Sequence, residues 1–126
     1  MALNAEPIAE MHIATATKLG IKKDDYIWIE TVRGKLRMKV TLNELTHEKV
    51  VTIPHGWWLP EAPGPDHGVF EVCSNVLVDD DLDSCDVVLG SSPLKAMLCR
   101  ISKAEAPVRT VTERWKEASA HAVAAE

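Results

Sequence analysis

The strongest constraint on the fold is a strict alternation of apolar and polar residues along residues 35–42. Successive side chains of a strand point to opposite faces, so this pattern predicts a strand with one buried face. Residues 26–32 are rich in β-branched and aromatic side chains, and Arg33-Gly34 between the segments predicts a tight turn. Together they predict a β-hairpin whose buried positions on the second strand are Leu36, Met38, Val40 and Leu42.

Charge and size narrow the class of protein. The chain has 126 residues, enough for one domain with its own core, and a formal net charge of −5. Phosphate backbones are bound by clustered Lys and Arg, so this balance argues against nucleic acid as a partner. One basic run does occur, and its alternation along the hairpin predicts a solvated sheet face made of Arg33, Lys35, Arg37 and Lys39.

The rest of the chain adds short elements around the hairpin. An extended piece ending near Ile13 leads into a helix of about residues 14–19, which Gly20 ends in a left-handed conformation. Further strands are predicted at residues 50–54 and 94–101, with a long loop over residues 55–73 between them. Several short strands with one short helix predict a mainly β chain, and specifically a small β-barrel.

The C-terminal part has a different character. Residues 108–122 combine apolar positions at helical spacing with a capping-box pattern, which predicts a helix. We therefore divide the chain into a barrel at residues 1–103 and a helical tail at residues 104–126. No apolar stretch approaches the ~20 residues that span a bilayer, and no signal peptide is recognisable, so we expect a cytoplasmic chain without a membrane span.

The candidate catalytic and metal-binding segments of this chain do not match the known sequence patterns for such sites. The acidic residues 79–83 lack the glycine and glutamate of an EF-hand, which favours an exposed acidic loop. His55, His67, Cys73 and Cys85 lack the short ligand spacing of a zinc site. Gly90-Ser91-Ser92 lacks the frame of a serine nucleophile. The sequence predicts no catalytic residue and no metal ligand in this chain.

Adjacent tryptophans in the long loop pose the main functional question. The stretch IPHGWWLPEAPGPDHGVFEVCSN contains Trp57 and Trp58, half of the chain's four tryptophans. Aromatic residues dominate packing, so the pair could be a plug that closes a barrel. Alternatively, flat aromatics beside His55, Gly56 and Asn75 could line a site for a large planar polar ligand. Spacing does not decide between these two interpretations.

An ordered set of short motifs does give a family resemblance. Between residues 7 and 102 the chain carries, in order, A-x-x-L-G-I-x-x-x-D, the hairpin, I-P-H-G-W-W-x-P-E, H-G-V-F-E, N-x-L and L-K-x-x-L-C-R-I. This order resembles the C-terminal molybdopterin-dinucleotide-binding domain of the dimethyl sulfoxide reductase family of molybdenum and tungsten oxidoreductases. The resemblance implies a six-stranded double-psi β-barrel, as in aspartate decarboxylase.

The resemblance also implies a function. Such domains form one wall of the site for molybdopterin guanine dinucleotide, in its molybdenum or tungsten form, and bind it only in part. The metal ligand comes from a larger catalytic subunit or domain, so this chain would not be catalytic alone. The matched positions imply that the cofactor contacts are His55, Gly56, Trp57, Trp58, Glu71, Asn75 and Lys95.

Two further expectations follow from the resemblance. Relatives begin this domain with an upstream strand that the present chain does not contain, so the barrel is expected to be incomplete at its N-terminus. An open strand edge would then allow pairing with a second copy, which predicts a homodimer. The rival function is a protein-interaction module that no longer binds cofactor and uses the two tryptophans as interface anchors.

Overall fold

The computed structural model describes residues 6–59, 64–92, 97–107 and 113. Lys95 and nearly all of the predicted C-terminal helix lie outside the described residues. The described chain contains five strands, two α-helices and two 3₁₀ helices. In order they are β1 (Ile8–His12), α1 (Ile13–Lys18), β2 (Tyr26–Glu30), β3 (Lys35–Asn43), β4 (Val51–Thr52), α2 (Val69–Val72), the 3₁₀ helices Ser74–Leu77 and Leu82–Ser84, and β5 (Arg100–Ala104).

The strands form one mixed sheet in the order β4-β1-β3-β2-β5. The hairpin strands β2 and β3 pair antiparallel, with Ile27 opposite Met38. β1 lies parallel to β3 with Ala9 opposite Val40, and β4 and β5 pair antiparallel on the outside. A parallel pair needs a crossover connection, which α1 and β2 provide here. The mainly β prediction is therefore confirmed, with short helices as expected.

The buried face of the hairpin is the centre of the core. Leu36, Met38 and Val40 of β3 are at most 1% exposed, as the alternation predicts, whereas Leu42 at the end of the pattern is half-buried. Burying an aliphatic side chain of this size contributes about 1.5–3 kcal/mol. Other members of the same cluster are Ala9, Met11, Ala16, Ile21, Ile27, Ile29 and Leu77.

The predictions for the first helix and for the left-handed Gly20 after it are confirmed. α1 ends at Lys18, and Gly20 adopts a left-handed φ of 67°. At the other end, the His12 side chain accepts a hydrogen bond from the Ala14 N–H at 3.0 Å and caps the helix. Gly20 is followed by Ile21, whose burial anchors the turn in the core.

The predicted outer strands are partly wrong. The last strand is predicted at residues 94–101, of which residues 94–96 lie outside the described residues. The strand observed in the described part lies at Arg100–Ala104, and Leu98 before it is 94% exposed. Pairing with β2 sets this strand, because Ile101 lies opposite Ile29, and the apolar character of residues 97–99 does not bring them into the sheet. The strand predicted at residues 50–54 shortens to Val51–Thr52.

The outer face of the hairpin is less solvated than the basic run suggests. Trp28 contacts two of the four cations, with Lys35 Nζ at 4.1 Å and Arg37 Cζ at 5.3 Å from its ring centroid. Lys39 forms an ion pair with Glu6 at 3.2 Å. Arg33 pairs with Asp79 and Asp81, so all four of the predicted solvated residues have specific partners. Cation–π contacts of this kind contribute about 0.5–1 kcal/mol at exposed sites.

None of the helices within the described part of the chain is long and apolar enough to cross a membrane.

Candidate functional site

The segment that contains the two tryptophans, residues 55–59, is called the tryptophan loop here, and it is held at both of its ends. At the first end, His55 Nδ1 lies 3.1 Å from the hydroxyl of Ser74. At the second end, the Leu59 N–H donates to the His67 carbonyl at 2.9 Å, and the Leu59 side chain is buried. Residues 55–59 are thus fixed against residues 67–74. A loop pinned in this way presents its aromatic side chains in a defined place.

Gly68 is required for the second of these contacts. It has a left-handed φ of 65°, and a Cβ at this position would lie 2.8 Å from the Leu59 Cδ1. Any other residue would combine backbone strain with a steric clash against the buried leucine. The contact with Leu59 therefore explains why the H-G-V-F-E motif has glycine at position 68.

The two tryptophans differ in exposure. Trp57 is half-buried, whereas Trp58 is 59% exposed. A plug would bury both indoles, so the exposure of Trp58 argues against that interpretation. Gly56 before them is exposed with a φ of 69°, and a Cβ there would meet no atom within 4 Å. Backbone and indole are therefore both accessible from outside.

Asn75 is positioned by the hairpin turn. It lies in the 3₁₀ helix Ser74–Leu77, whose Leu77 carbonyl accepts a hydrogen bond from the Thr31 hydroxyl at 2.9 Å. A Cβ on Gly34 would lie 2.3 Å from the Val76 carbonyl oxygen, so the turn and the 3₁₀ helix meet at backbone distance. The Asn75 side chain is exposed.

Asn75 lines an open groove of about 560 Å³. Arg33 forms one wall and donates from Nε to Asp79 at 2.7 Å, and its guanidinium also pairs with Asp81. This hydrogen bond from Arg33 is the main reason why the pKa of Asp79 lies below its ordinary value. The ion pairs close the acidic loop over the hairpin turn. The remaining lining residues are Val76, Val78, Asp80, Ser91 and Ser92.

The acidic loop brings three carboxylates together. Oxygen atoms of Asp79, Asp80 and Asp81 lie within 4.8 Å of one another. Arg33 already neutralises part of this charge. Asp80 and Asp81 are exposed and Asp79 is half-buried, so the acidic residues lie at the surface, as expected.

Glu71 lies in a different groove from Asn75. This second groove has a volume of about 230 Å³ and contains Trp28, Lys35, Arg37, Phe70 and Glu71 on its walls. Burial raises the pKa of Tyr26, which also lines it. The structure therefore brings His55 to Ser74, the residue before Asn75, and places Glu71 in a separate groove beside Trp28, Lys35 and Arg37.

The accessible groups suit a planar polar ligand. Trp58 offers an aromatic face, Asn75 offers both a donor and an acceptor, and His55 offers a ring nitrogen. Gly56 allows close approach of a ligand to the backbone. A pterin or a guanine has the same requirements, namely stacking and hydrogen bonding in one plane. The residues present thus fit part of a pterin dinucleotide.

Comparison with known proteins decides the family. The family described as "Molydopterin dinucleotide binding domain" matches residues 1–89. The chain belongs to this family. Its cofactor is accordingly of the molybdopterin dinucleotide type, as the motif order implied.

The curated relatives are larger proteins. A dopamine dehydroxylase from Eggerthella lenta is 36% identical over 98 residues, which is 78% of this chain and 9% of that protein. An acetylene hydratase from Syntrophotalea acetylenica is 36% identical over 81 residues, or 60% of this chain and 11% of the relative. The chain thus spans about a tenth of the length of the curated relatives it matches.

A solved structure supports the fold. The acetylene hydratase from Pelobacter acetylenicus superimposes with a TM-score of 0.72 at 29% identity, covering 79% of this chain and 14% of that one. The mixed sheet with few helices is therefore the arrangement of a domain within a larger protein of this kind.

Sequence reasoning missed Ser74 and Thr31. Both carry hydroxyls whose partners are remote in sequence, His55 and Leu77. One signal was present for Ser74, because it is a small polar residue between the apolar pairs Val72-Cys73 and Val76-Leu77. A hydroxyl in such a run is buried only if it finds a hydrogen-bond partner.

Proposed function

We propose that this chain forms one wall of a molybdopterin dinucleotide site in a larger oxidoreductase, as a domain or a small subunit. Its role is to hold and orient the pterin dinucleotide. The side chains and backbone that carry this role are those of His55, Gly56, Trp57, Trp58, Glu71, Asn75 and Lys95. Lys95, outside the described residues, would supply positive charge to phosphates that have few other partners in an acidic domain.

One observation carries the proposal. Trp58 is 59% exposed in a loop that is hydrogen-bonded through His55 to Ser74, the residue next to Asn75. Holding a large indole in solvent has no benefit for folding, because aromatic side chains stabilise a fold when they are buried. In a chain of this family, a fixed and exposed indole is suited to stacking on a pterin or guanine ring.

No residue of this chain ligates the metal in the proposed function. When bound, the cofactor supplies the redox chemistry through its metal centre, and the protein supplies binding and orientation. The guanine dinucleotide, in its molybdenum or tungsten form, is held only in part by this chain. The remaining contacts and the metal ligand belong to a larger catalytic partner, in keeping with a chain that spans about a tenth of its relatives.

The test is a calorimetric titration of the full chain with GMP, a stable fragment of the dinucleotide. We expect saturable binding that Trp58→Ala weakens about 5- to 150-fold, because stacking of a base on an aromatic ring contributes about 1–3 kcal/mol. The control is Leu45→Ala, since Leu45 is another large apolar side chain at the surface, 96% exposed, and is not among the proposed cofactor contacts. Equal loss in both variants, or no binding by the unaltered chain, would contradict the proposal.

The exposure of Trp58 also favours a second function, a protein-interaction module that does not bind cofactor. Tryptophan is enriched among the residues that dominate binding energy at interfaces. In that case GMP has no effect on the loop, and Trp58→Ala weakens association with a protein partner. Hydrogen exchange of residues 53–59, measured with GMP and with a purified catalytic partner, separates the two functions.

Four finer expectations remain predictions. The double-psi topology of the barrel and the C-terminal helix are tested by crystallography of the full chain. Pairing of two copies through an open sheet edge predicts a concentration-dependent dimer in sedimentation. The cytoplasmic location expected from the sequence is tested by cell fractionation.

A further inference from the structure

Ser74 is a buried polar residue with its side chain directed at the proposed site. It is 6% exposed, and its hydroxyl lies 3.1 Å from Nδ1 of His55, which is itself exposed. Among the described residues, the Ser74 hydroxyl makes no other hydrogen bond. The contact therefore joins a fixed group inside the domain to a ring nitrogen at its surface.

The direction of this hydrogen bond follows from the needs of the buried hydroxyl. A serine hydroxyl has one proton to donate, and a neutral imidazole has one donor nitrogen and one acceptor nitrogen. If Nδ1 carried the imidazole proton, the proton of Ser74 would have no acceptor among the described groups. Leaving a buried donor unpaired costs about 1–3 kcal/mol. The hydroxyl therefore donates to Nδ1, and the ring proton resides on Nε2.

We propose that Ser74 is a positioning residue that fixes His55 as a hydrogen-bond donor toward the cofactor. This inference rests on the proposed function for its ligand, while the tautomer itself depends only on the Ser74 contact. A donor at Nε2 selects a hydrogen-bond acceptor of the ligand, and a pterin dinucleotide offers phosphate oxygens, ring carbonyls and ring nitrogens. His55 thus binds an acceptor group and does not take a proton from the ligand.

The chain contains its own reference for the test. His12 Nδ1 accepts a hydrogen bond from the Ala14 N–H at 3.0 Å, and His47 Nδ1 accepts from the Lys49 N–H at 3.1 Å. Each of these rings, when neutral, must carry its proton on Nε2. Because the bonds are local, substitution of Ser74 leaves both of them in place. Their signals also show whether a variant remains folded.

The experiment is long-range ¹H–¹⁵N NMR of the imidazole nitrogens in the full chain at a pH where the rings are neutral. We expect Nδ1 of His55 to resonate as an unprotonated nitrogen, like those of His12 and His47. Ser74→Ala should shift His55 toward a mixture of tautomers, and Ser74→Thr should restore the single form. A proton on Nδ1 in the unaltered chain, or an unchanged spectrum in Ser74→Ala, would overturn the inference.

Ligand binding then identifies the acceptor and separates the two proposals. A shift of the His55 Nε2 signal with inorganic pyrophosphate identifies a phosphate oxygen, and a shift with guanosine, which has no phosphate, identifies an acceptor atom of the nucleoside. Ser74→Ala should weaken binding about two- to tenfold, the size of one lost hydrogen bond. If the tautomer is as expected and neither ligand binds, the proposed function fails while the assignment of Ser74 stands.

Discussion

Single hydroxyl groups join the segments that carry the proposed site. Ser74 contacts the tryptophan loop through His55, and Thr31 contacts the 3₁₀ helix that contains Asn75. Each contact bridges more than fifteen positions of sequence, with separations of 19 and 46 residues. Long-range hydrogen bonds of this kind fix loops that have few buried apolar side chains of their own.

Thr31 provides a test at the residue scale. Its hydroxyl donates to the Leu77 carbonyl and accepts from the N–H groups of Arg33 and Gly34. Replacing Thr31 with Val keeps the shape and removes these partners, so we expect the free energy of unfolding to fall by about 1–2 kcal/mol. Urea unfolding measures the change.

The matched control for this variant is Thr41→Val. Thr41 lies on the outer face of β3 and makes no side-chain hydrogen bond among the described residues, so its replacement should change the unfolding free energy by less than about 0.5 kcal/mol. Equal effects of the two substitutions would mean that the Thr31 hydroxyl contributes nothing specific.

At the scale of elements, the hairpin is the structural base of the site. β3 pairs with both β1 and β2, and its buried face fills the core. The turn between β2 and β3 meets the 3₁₀ helix Ser74–Leu77 at Gly34. Damage to β3 should therefore reduce stability and ligand binding together.

A pair of leucines tests this role of β3. Leu36 is 1% exposed in the core, whereas Leu45 just beyond the strand is 96% exposed. We expect Leu36→Ala to lower the free energy of unfolding by about 2–5 kcal/mol through the cavity that it leaves. Leu45→Ala should change it by less than about 0.5 kcal/mol. Chemical denaturation of both variants gives the comparison, and similar losses would contradict the burial of β3.

On the scale of the whole molecule, electrostatics link the acidic loop to the sheet. Arg33 pairs with Asp79, which lowers the pKa of that carboxyl in the folded chain. A group whose pKa is lower when folded stabilises the fold at pH values above its unfolded pKa of about 4. Its contribution is lost as the pH falls through the lower folded value. Acid should thus loosen the loop from the hairpin turn.

The corresponding prediction concerns Asp79→Asn. We expect this variant to be less stable than the unaltered chain at neutral pH and to lose less stability between pH 6 and pH 3, because the titrating group is gone. Thermal unfolding across this pH range measures both effects. Asp83→Asn is the control, since Asp83 makes no ion pair within the described part of the chain. A steeper acid dependence in Asp79→Asn would contradict the assignment.

Much of the fold was predictable because its signals are local. The alternation at β3, the turn at Gly34, the short helix and the left-handed Gly20 all depend on neighbouring residues. The order of the motifs along the chain identified the family and the type of cofactor. Whether each proposed residue touches that cofactor stays a prediction.

Sequence alone determined the hairpin, the mainly β class and the membership of a cofactor-binding family, since periodicity and motif order are properties of the chain itself. Only the tertiary structure decided that Trp58 is exposed, that Glu71 faces a different groove from Asn75, and that Ser74 supports His55. It also shifted the last strand to Arg100–Ala104. The reason is that exposure, strand pairing and remote hydrogen bonds depend on which segments meet in space, and spacing along the chain does not contain that information.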